Sequence, residues 1–298
     1  MLIKHPVWQA RIHRFRRNRL GFVSLIMFSL IFLACMGANL IANDKPMLVN
    51  YQNHWYFPIV KSYPETTFGG VFETETNYQD PVVKDLINQH GYMIEPMIPF
   101  ADQTPSVMRS VPFPALPNAQ NWFGTDDQGR DVLARVLYGL RVSLLFGLAL
   151  TVAGSIIGIA VGAVQGYFGG WTDLVGQRLM EVWGGLPQLF MIIILVSLFS
   201  PSVFVLFGLM LLFGWMGLVG LVRAEFLRAR NFDYVRSAKA MGVSDAKIMF
   251  RHILPNAMSS SLSQLPFILT ANITALTTLD YLGYGLPAGS PSLGELIS

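Results

Sequence analysis

Asp233-Tyr-Val-Arg-Ser-Ala-Lys-Ala-Met-Gly242, followed by His252-Ile-Leu-Pro-Asn256, is a basic, helix-forming stretch set between two apolar segments. Asn231 or Asp233 can cap a helix start, good helix formers follow, and Gly242 can take the left-handed conformation that closes a helix. Ser244 offers a fresh N-cap with Asp245 in the first turn, where the helix dipole favours an acid, and the second helix is expected to end near Pro255. The pattern predicts two short helices joined at a glycine. Tyr234, Ala238 and Met241, then Ile248, Met249 and Ile253, recur at helical spacing, so this knob needs an apolar cover. Its own membrane helices or another protein can supply one.

Outward from the knob, the composition is that of a membrane protein: 52% hydrophobic, 13% charged and mean hydropathy +0.45 over 298 residues. Windows long enough to cross about 30 Å of hydrocarbon run from Leu20 to Ile41, Val142 to Gln165, Leu179 to Phe199, Val203 to Val222 and Ser260 to Leu282. Each reads as a helix, because lipid leaves no partner for unpaired backbone groups and barrel alternation is missing. Arg11, Arg14, Arg16, Arg17 and Arg19 place residues 1–19 in the cytoplasm by the positive-inside rule. Counting crossings then puts residues 43–141 outside and 223–259 inside. Arg223, Arg228, Arg230, Arg236, Lys239, Lys247 and Arg251 in that last loop agree independently. The net charge of +3 is explained by topology and does not point to nucleic acid. Phe32-Leu-Ala-Cys35 fits a lipoprotein cleavage site poorly, so the first span reads as an uncleaved anchor; one cysteine excludes an intrachain disulfide. Five spans leave the loop-like tail outside, and a sixth helix is expected beyond the end of this chain.

The outer segment from Asn43 to Gln120 holds ten of the 17 prolines, which oppose long helices and central strands, together with aromatics that oppose disorder. An ordered, irregular lobe is expected, either packed over the helices or receiving a soluble partner. Glu65, Glu73, Glu75, Asp80 and Asp85 form either a solvated acidic face or one that favours a cationic ligand. Phe123-Gly-Thr-Asp-Asp-Gln-Gly-Arg-Asp131 predicts an Asx-type turn at Asp126 or Asp127 and then a separate amphipathic interfacial helix through Leu140; its acid spacing does not match a calcium loop. Within the spans, Arg178 and Glu181 have ion-pair spacing, and Asp280 is either a carboxylate for a substrate ammonium or a solvated interfacial group. No phosphate loop, zinc-ligand pair or nucleophile elbow is present, so energy for active transport has to come from another chain.

These motifs resemble, in order and spacing, the permease subunits of the peptide-type ABC importers, the dipeptide and oligopeptide permease family. The likeness is carried by Phe123-Gly-Thr-Asp-x-x-Gly-Arg-Asp131 with Arg141-Val-Ser-Leu144, by Gly166-Tyr-Phe-Gly-Gly-Trp-Thr-Asp173 with Arg178, Glu181 and Pro187, by the knob itself, and by Leu282-Gly-Tyr-Gly285 with Pro291-Ser-x-Gly294. The resemblance implies an all-α polytopic protein of the type I importer permease fold with a long periplasmic lobe, lying in a bacterial inner membrane and working by alternating access. It implies that loop 223–259 seats on an ATPase through Tyr234, Arg236, Ser237, Ala238, Met241, Gly242, Asp245, Leu254 and Pro255. It also implies a second homologous permease, two cytoplasmic ATPase domains that hold ATP and Mg, and a periplasmic binding protein bringing oligopeptides or peptide antibiotics of the microcin C kind. No cofactor or metal is expected on this chain, nor an enzymatic activity. Three positions depart from the family: Arg236-Ser237-Ala238 replaces Glu-Ala-Ala, Leu276 stands where a glutamate is frequent, with Asp280 one turn on, and Leu293 stands where tryptophan is usual. The competing reading is a stand-alone channel or secondary transporter, which calls for an ion site at mid-bilayer and repeats that the sequence lacks.

Overall fold

The computed structural model describes residues 15–105, 112–287 and 289–298; Arg11 and Arg14 lie outside the described residues. The chain forms two compact units, one ending at Arg141 and the other running Val142–Ser298.

In the first unit, α1 (Arg19–Met36) starts at Asn18, whose side chain accepts from the Gly21 N–H at 3.3 Å. Gly37 interrupts it before α2 (Ala38–Ile41), so the window from Leu20 to Ile41 is two helical pieces. The side chains of α1 are apolar all round and mostly exposed, with only Cys35 buried, which is the condition of a helix whose neighbours are lipid or another chain.

The lobe corrects the all-α expectation. Strands β1 (Leu48–Tyr51), β2 (His54–Tyr56) and β3 (Gly91–Ile94) form an antiparallel sheet in the order β2-β1-β3. Proline spares these short runs. Gln52 and Asn53, both at positive φ, make the two-residue turn whose twist suits a hairpin. Helix α3 (Pro81–His90) is capped by Asp80, whose carboxylate accepts from the Val82 N–H at 2.9 Å. Phe68 is fully buried, with Tyr51, Tyr56, Tyr63 and Tyr78 edge-on around it at 5.3 to 6.3 Å. Burial pushes the Tyr78 phenol up to about 12. Of the five acids in the expected face, Asp80 is thus a cap, and Glu75 bonds Lys45 and Ser62, which hold its carboxyl below the usual range.

At the end of this unit the Asx turn is made by Asp126, whose Oδ1 accepts from the N–H groups of Gln128 and Arg130. Its Oδ2 takes Arg130 at 2.7 Å and Arg135 at 2.5 Å. Burial pushes this carboxyl up, but the hydrogen bonds from Arg130, Arg135 and Gln128 outweigh it and hold it below the usual range. No separate interfacial helix follows. Helix α4 (Val132–Phe168) is continuous for 37 residues, about 55 Å, because no proline, cap or positive-φ residue interrupts it.

In the second unit, α4 is followed by α5 (Gly170–Gly184), α6 (Gln188–Val196), α7 (Val203–Gly214), a 3-10 turn (Trp215–Leu218), α8 (Val219–Ala229), α9 (Asp233–Ala240), α10 (Asp245–Lys247), a π-helical stretch (Ile248–Ile253) and α11 (Leu254–Tyr281). The window from Leu179 to Phe199, expected as one helix, is broken: α5 and α6 meet at 70°, where Gly185, Leu186 and Pro187 leave no N–H at residue 187 to continue the helix. Among the described residues four helices are long and apolar enough to cross a membrane, five if the bent pair counts as one span. Pro255 does not stop its helix: it lies in the first turn of α11, directly after the π-helical stretch.

Glycine decides how α4 packs. Gly154, Gly158, Gly162 and Gly166 share one face, and a Cβ on the last three would meet the carbonyl oxygens of Trp215, Val219 and Arg223 at 2.4, 2.7 and 2.5 Å. Backbone therefore lies on backbone along α4 and α8, as in small-xxx-small membrane contacts. Elsewhere Phe146, Leu150, Ile192, Leu206, Met210, Phe213, Leu276 and Leu279 join α4, α6, α7 and α11 in one apolar cluster.

Candidate coupling site

The knob is built much as its sequence reads. Helix α9 closes on Gly242 at φ +75, with the Gly242 N–H donating to Lys239 O at 3.0 Å and the Val243 N–H to Ala238 O at 3.1 Å. That is a Schellman closure, which only glycine adopts without strain. Ser244 is the N-cap of α10, and its carbonyl accepts from the Ile248 N–H. At the other start the N-cap is Phe232, flanked by the two residues expected there, Asn231 and Asp233, and no side chain caps the helix.

The covered face is the expected one at Ala238, Ile248, Met249 and Ile253, but not at Tyr234 and Met241. Val235 and Ala238 are buried with Ile248, Met249 and Ile253 against Ala163 and Tyr167 of α4 and Leu218, Val222, Phe226 and Ala229 around α8. The cover is the chain's own helices. Tyr234 and Met241 point outward instead, Met241 being 76% exposed, because α9 turns Val235 rather than Tyr234 inward with Ala238. Arg236, Ser237, Gly242, Asp245 and Pro255 are exposed as well, and Leu254 is half-buried on the cluster. The outward surface thus combines an aromatic ring, a thioether and the cations Arg236 and Lys239, a mixture that serves contact with protein better than with water.

Three side chains missed in the sequence reading tie this loop down. The Tyr167 hydroxyl donates to Asp245 Oδ1 at 2.5 Å, and Arg223 grips Asp173 through two N–H donors, one of them at 2.6 Å. Tyr167 and Asp173 stand inside the Gly166–Asp173 motif, which was the available signal.

Asp280 is engaged by its own chain. Its Oδ1 accepts from the Leu286 N–H at 2.6 Å, and a Cβ on Gly285 or Gly294 would collide with it, so the glycines let the tail fold over this carboxylate. Leu276, one turn earlier, is fully buried in the apolar cluster. Arg178 and Glu181 form their ion pair on an exposed face of α5, where such a pair adds little. Among the described residues no group of three potential metal ligands comes together.

Residues 143–298 match the family model described as the inner membrane component of binding-protein-dependent transport systems, and residues 7–58 match the N-terminal transmembrane domain of oligopeptide transport permease C. The chain belongs to this permease family. It is 54% identical over 292 residues to the inner membrane ABC transporter permease protein YejE of Escherichia coli (strain K12), covering 98% of this chain and 86% of that one. To the peptidoglycan transport system permease protein YejE of Agrobacterium fabrum it is 47% identical, covering 98% and 83%. To the oligopeptide transport system permease protein OppC of Bacillus subtilis it is 34% identical, covering 98% and 76%.

Proposed function

We propose that this permease is the membrane subunit of an ATP-driven importer for oligopeptides or other peptide-bearing cargo, and that it couples to cytoplasmic ATPases through loop 223–259. The observation that carries the reading is the two-faced knob: Val235, Ala238, Ile248 and Ile253 root it in the helices while Tyr234, Arg236, Ser237 and Met241 stay outside. Two relatives with peptide or peptidoglycan transport in their names support the cargo class, since peptidoglycan itself carries peptide stems; microcin C-like peptides are a further cargo of this reading. In this reading the N-terminus and knob lie in the cytoplasm and the lobe in the periplasm, facing a binding protein. A second permease completes the pathway, and two ATPase domains bind ATP and Mg. Closure of the ATPases moves the knob, and rocking of the helices alternates access to the central cavity. Asp280, whose Oδ1 is spent on Leu286, belongs to the tail rather than to the substrate in this reading.

The test is purification of the complex from its native membrane in mild detergent, with its companions identified by mass spectrometry and its ATP hydrolysis assayed. A second permease and an ATPase in fixed stoichiometry are expected; recovery of this chain alone, after crosslinking and without hydrolysis, would overturn the proposal in favour of a channel or secondary transporter. Gly242→Val forces a β-branched residue into φ +75, a strain of roughly 1–2 kcal/mol. Transport should fall while membrane insertion persists.

A further inference from the structure

The motif Gly166–Asp173, which spans the junction of α4 and α5, makes three polar contacts to the segment leading into and forming the knob. The Tyr167 hydroxyl meets Asp245, the Tyr167 carbonyl accepts from Arg230 at 3.4 Å, and the Asp173 carboxylate holds Arg223. Gly169, at φ +63 between the two helices, leaves room for the Arg230 guanidinium, which a Cβ there would meet at 2.2 Å. Apolar packing holds the knob onto α4 and α8 but is non-directional, so by itself it permits sliding. Hydrogen bonds that involve charged groups are directional, and these part-buried ones fix position as well as attachment.

We propose that the Gly166–Asp173 junction is the joint through which displacement of the knob reaches α4 and α5, with Tyr167, Asp173 and Arg223 as positioning residues. This rests on the coupling function proposed above. The glycine face of α4 completes the argument: with backbone on backbone from Gly158 to Gly166, α4 and α8 are already one body. The three polar contacts add the knob and the start of α5 to it. A push on the outer face of the knob is then passed on as rigid-body motion instead of being absorbed at the junction.

The whole importer complex tests this in lipid nanodiscs, with Cys35→Ala as background and spin labels at Phe250→Cys on the knob and Val152→Cys on α4, both exposed positions. Distances between the labels are measured without nucleotide and after trapping with ATP and vanadate. With the joint intact, the separation should stay the same in both states. With Tyr167→Phe and Arg223→Ala combined, it should match the intact value without nucleotide, then shift and broaden on trapping. A merely structural role would alter it in both states and would overturn the proposal. So would a variant that behaves like the intact complex, or an intact complex whose separation changes on trapping. Tyr167→Phe alone should give a smaller shift, and serves if the double variant assembles poorly. If no ATPase accompanies the chain, the coupling function falls and this joint with it; if one does and the distances fail, only the joint falls.

Discussion

The lobe core and the contact of α4 with α8 are opposite solutions to packing. In the lobe, Phe68 fills a space walled by four tyrosines, so stability comes from side-chain volume. Along α4, Gly158, Gly162 and Gly166 leave that space empty so that carbonyl oxygens can approach. Water drives the first arrangement by expelling apolar surface; between helices in lipid that drive is missing, and close backbone contact replaces it. The two regions should therefore respond to mutation with opposite sign, with removal of atoms damaging one and addition damaging the other.

The largest effect is expected from Phe68→Ala, at about 3–5 kcal/mol of lobe stability. Hydrogen exchange should show Val49 and Tyr51 losing protection while α4 keeps its own; equal loss in both would erase the contrast. Next comes the pH response of the same core. The Tyr78 phenol, pushed up to about 12 from an ordinary value near 10, stabilises the folded lobe fully below about pH 10, and that contribution is lost as pH rises through about 12. Phenolate absorbance should show Tyr78 ionising only as pH nears about 12, with lobe unfolding alongside it, and Tyr78→Phe should abolish that lobe step. Gly158→Val should cost about 1–3 kcal/mol by overpacking against Trp215 O, read as a lower Tm of the detergent-solubilised chain with the lobe unaffected. The smallest effect sharpens the comparison within α8 itself: a Cβ on Gly220 would meet nothing within 4 Å. Gly220→Ala should therefore raise stability by about 0.4–1 kcal/mol. A loss there as large as that of Gly158→Val would show that composition, not contact, governs the helix.

Legibility followed the range of the interaction. The spans were readable because hydropathy is a local sum, and the Gly242 closure because one residue type answers one backbone need. The bend at Gly185 to Pro187 lies inside a window whose mean hydropathy passes for one span, although Gly184, Gly185 and Pro187 are breakers that the sequence shows. The covered face of α9 was misread because Ala238 belongs to two candidate stripes, one through Tyr234 and Met241 and one through Val235, and only the position of α4 selects between them. The four-residue spacing of Gly154, Gly158, Gly162 and Gly166 was visible in the sequence and carried the information. Nothing local announces that Tyr167 meets Asp245, 78 residues away. In the lobe, the density of proline obscured three short strands lying between its occurrences.

The π-helical stretch Ile248–Ile253 joins the knob to α11 without a break. Its hydrogen bonds reach one residue further than those of an α-helix, in which each residue turns the chain by about 100°. The widened stretch therefore sets the angular phase of everything downstream. Excising a single residue there would leave Leu276 and Leu279 rotated out of the cluster they now fill. What the stretch stores is a compass bearing: the direction in which a helix of 28 residues faces is written in the turn before it begins.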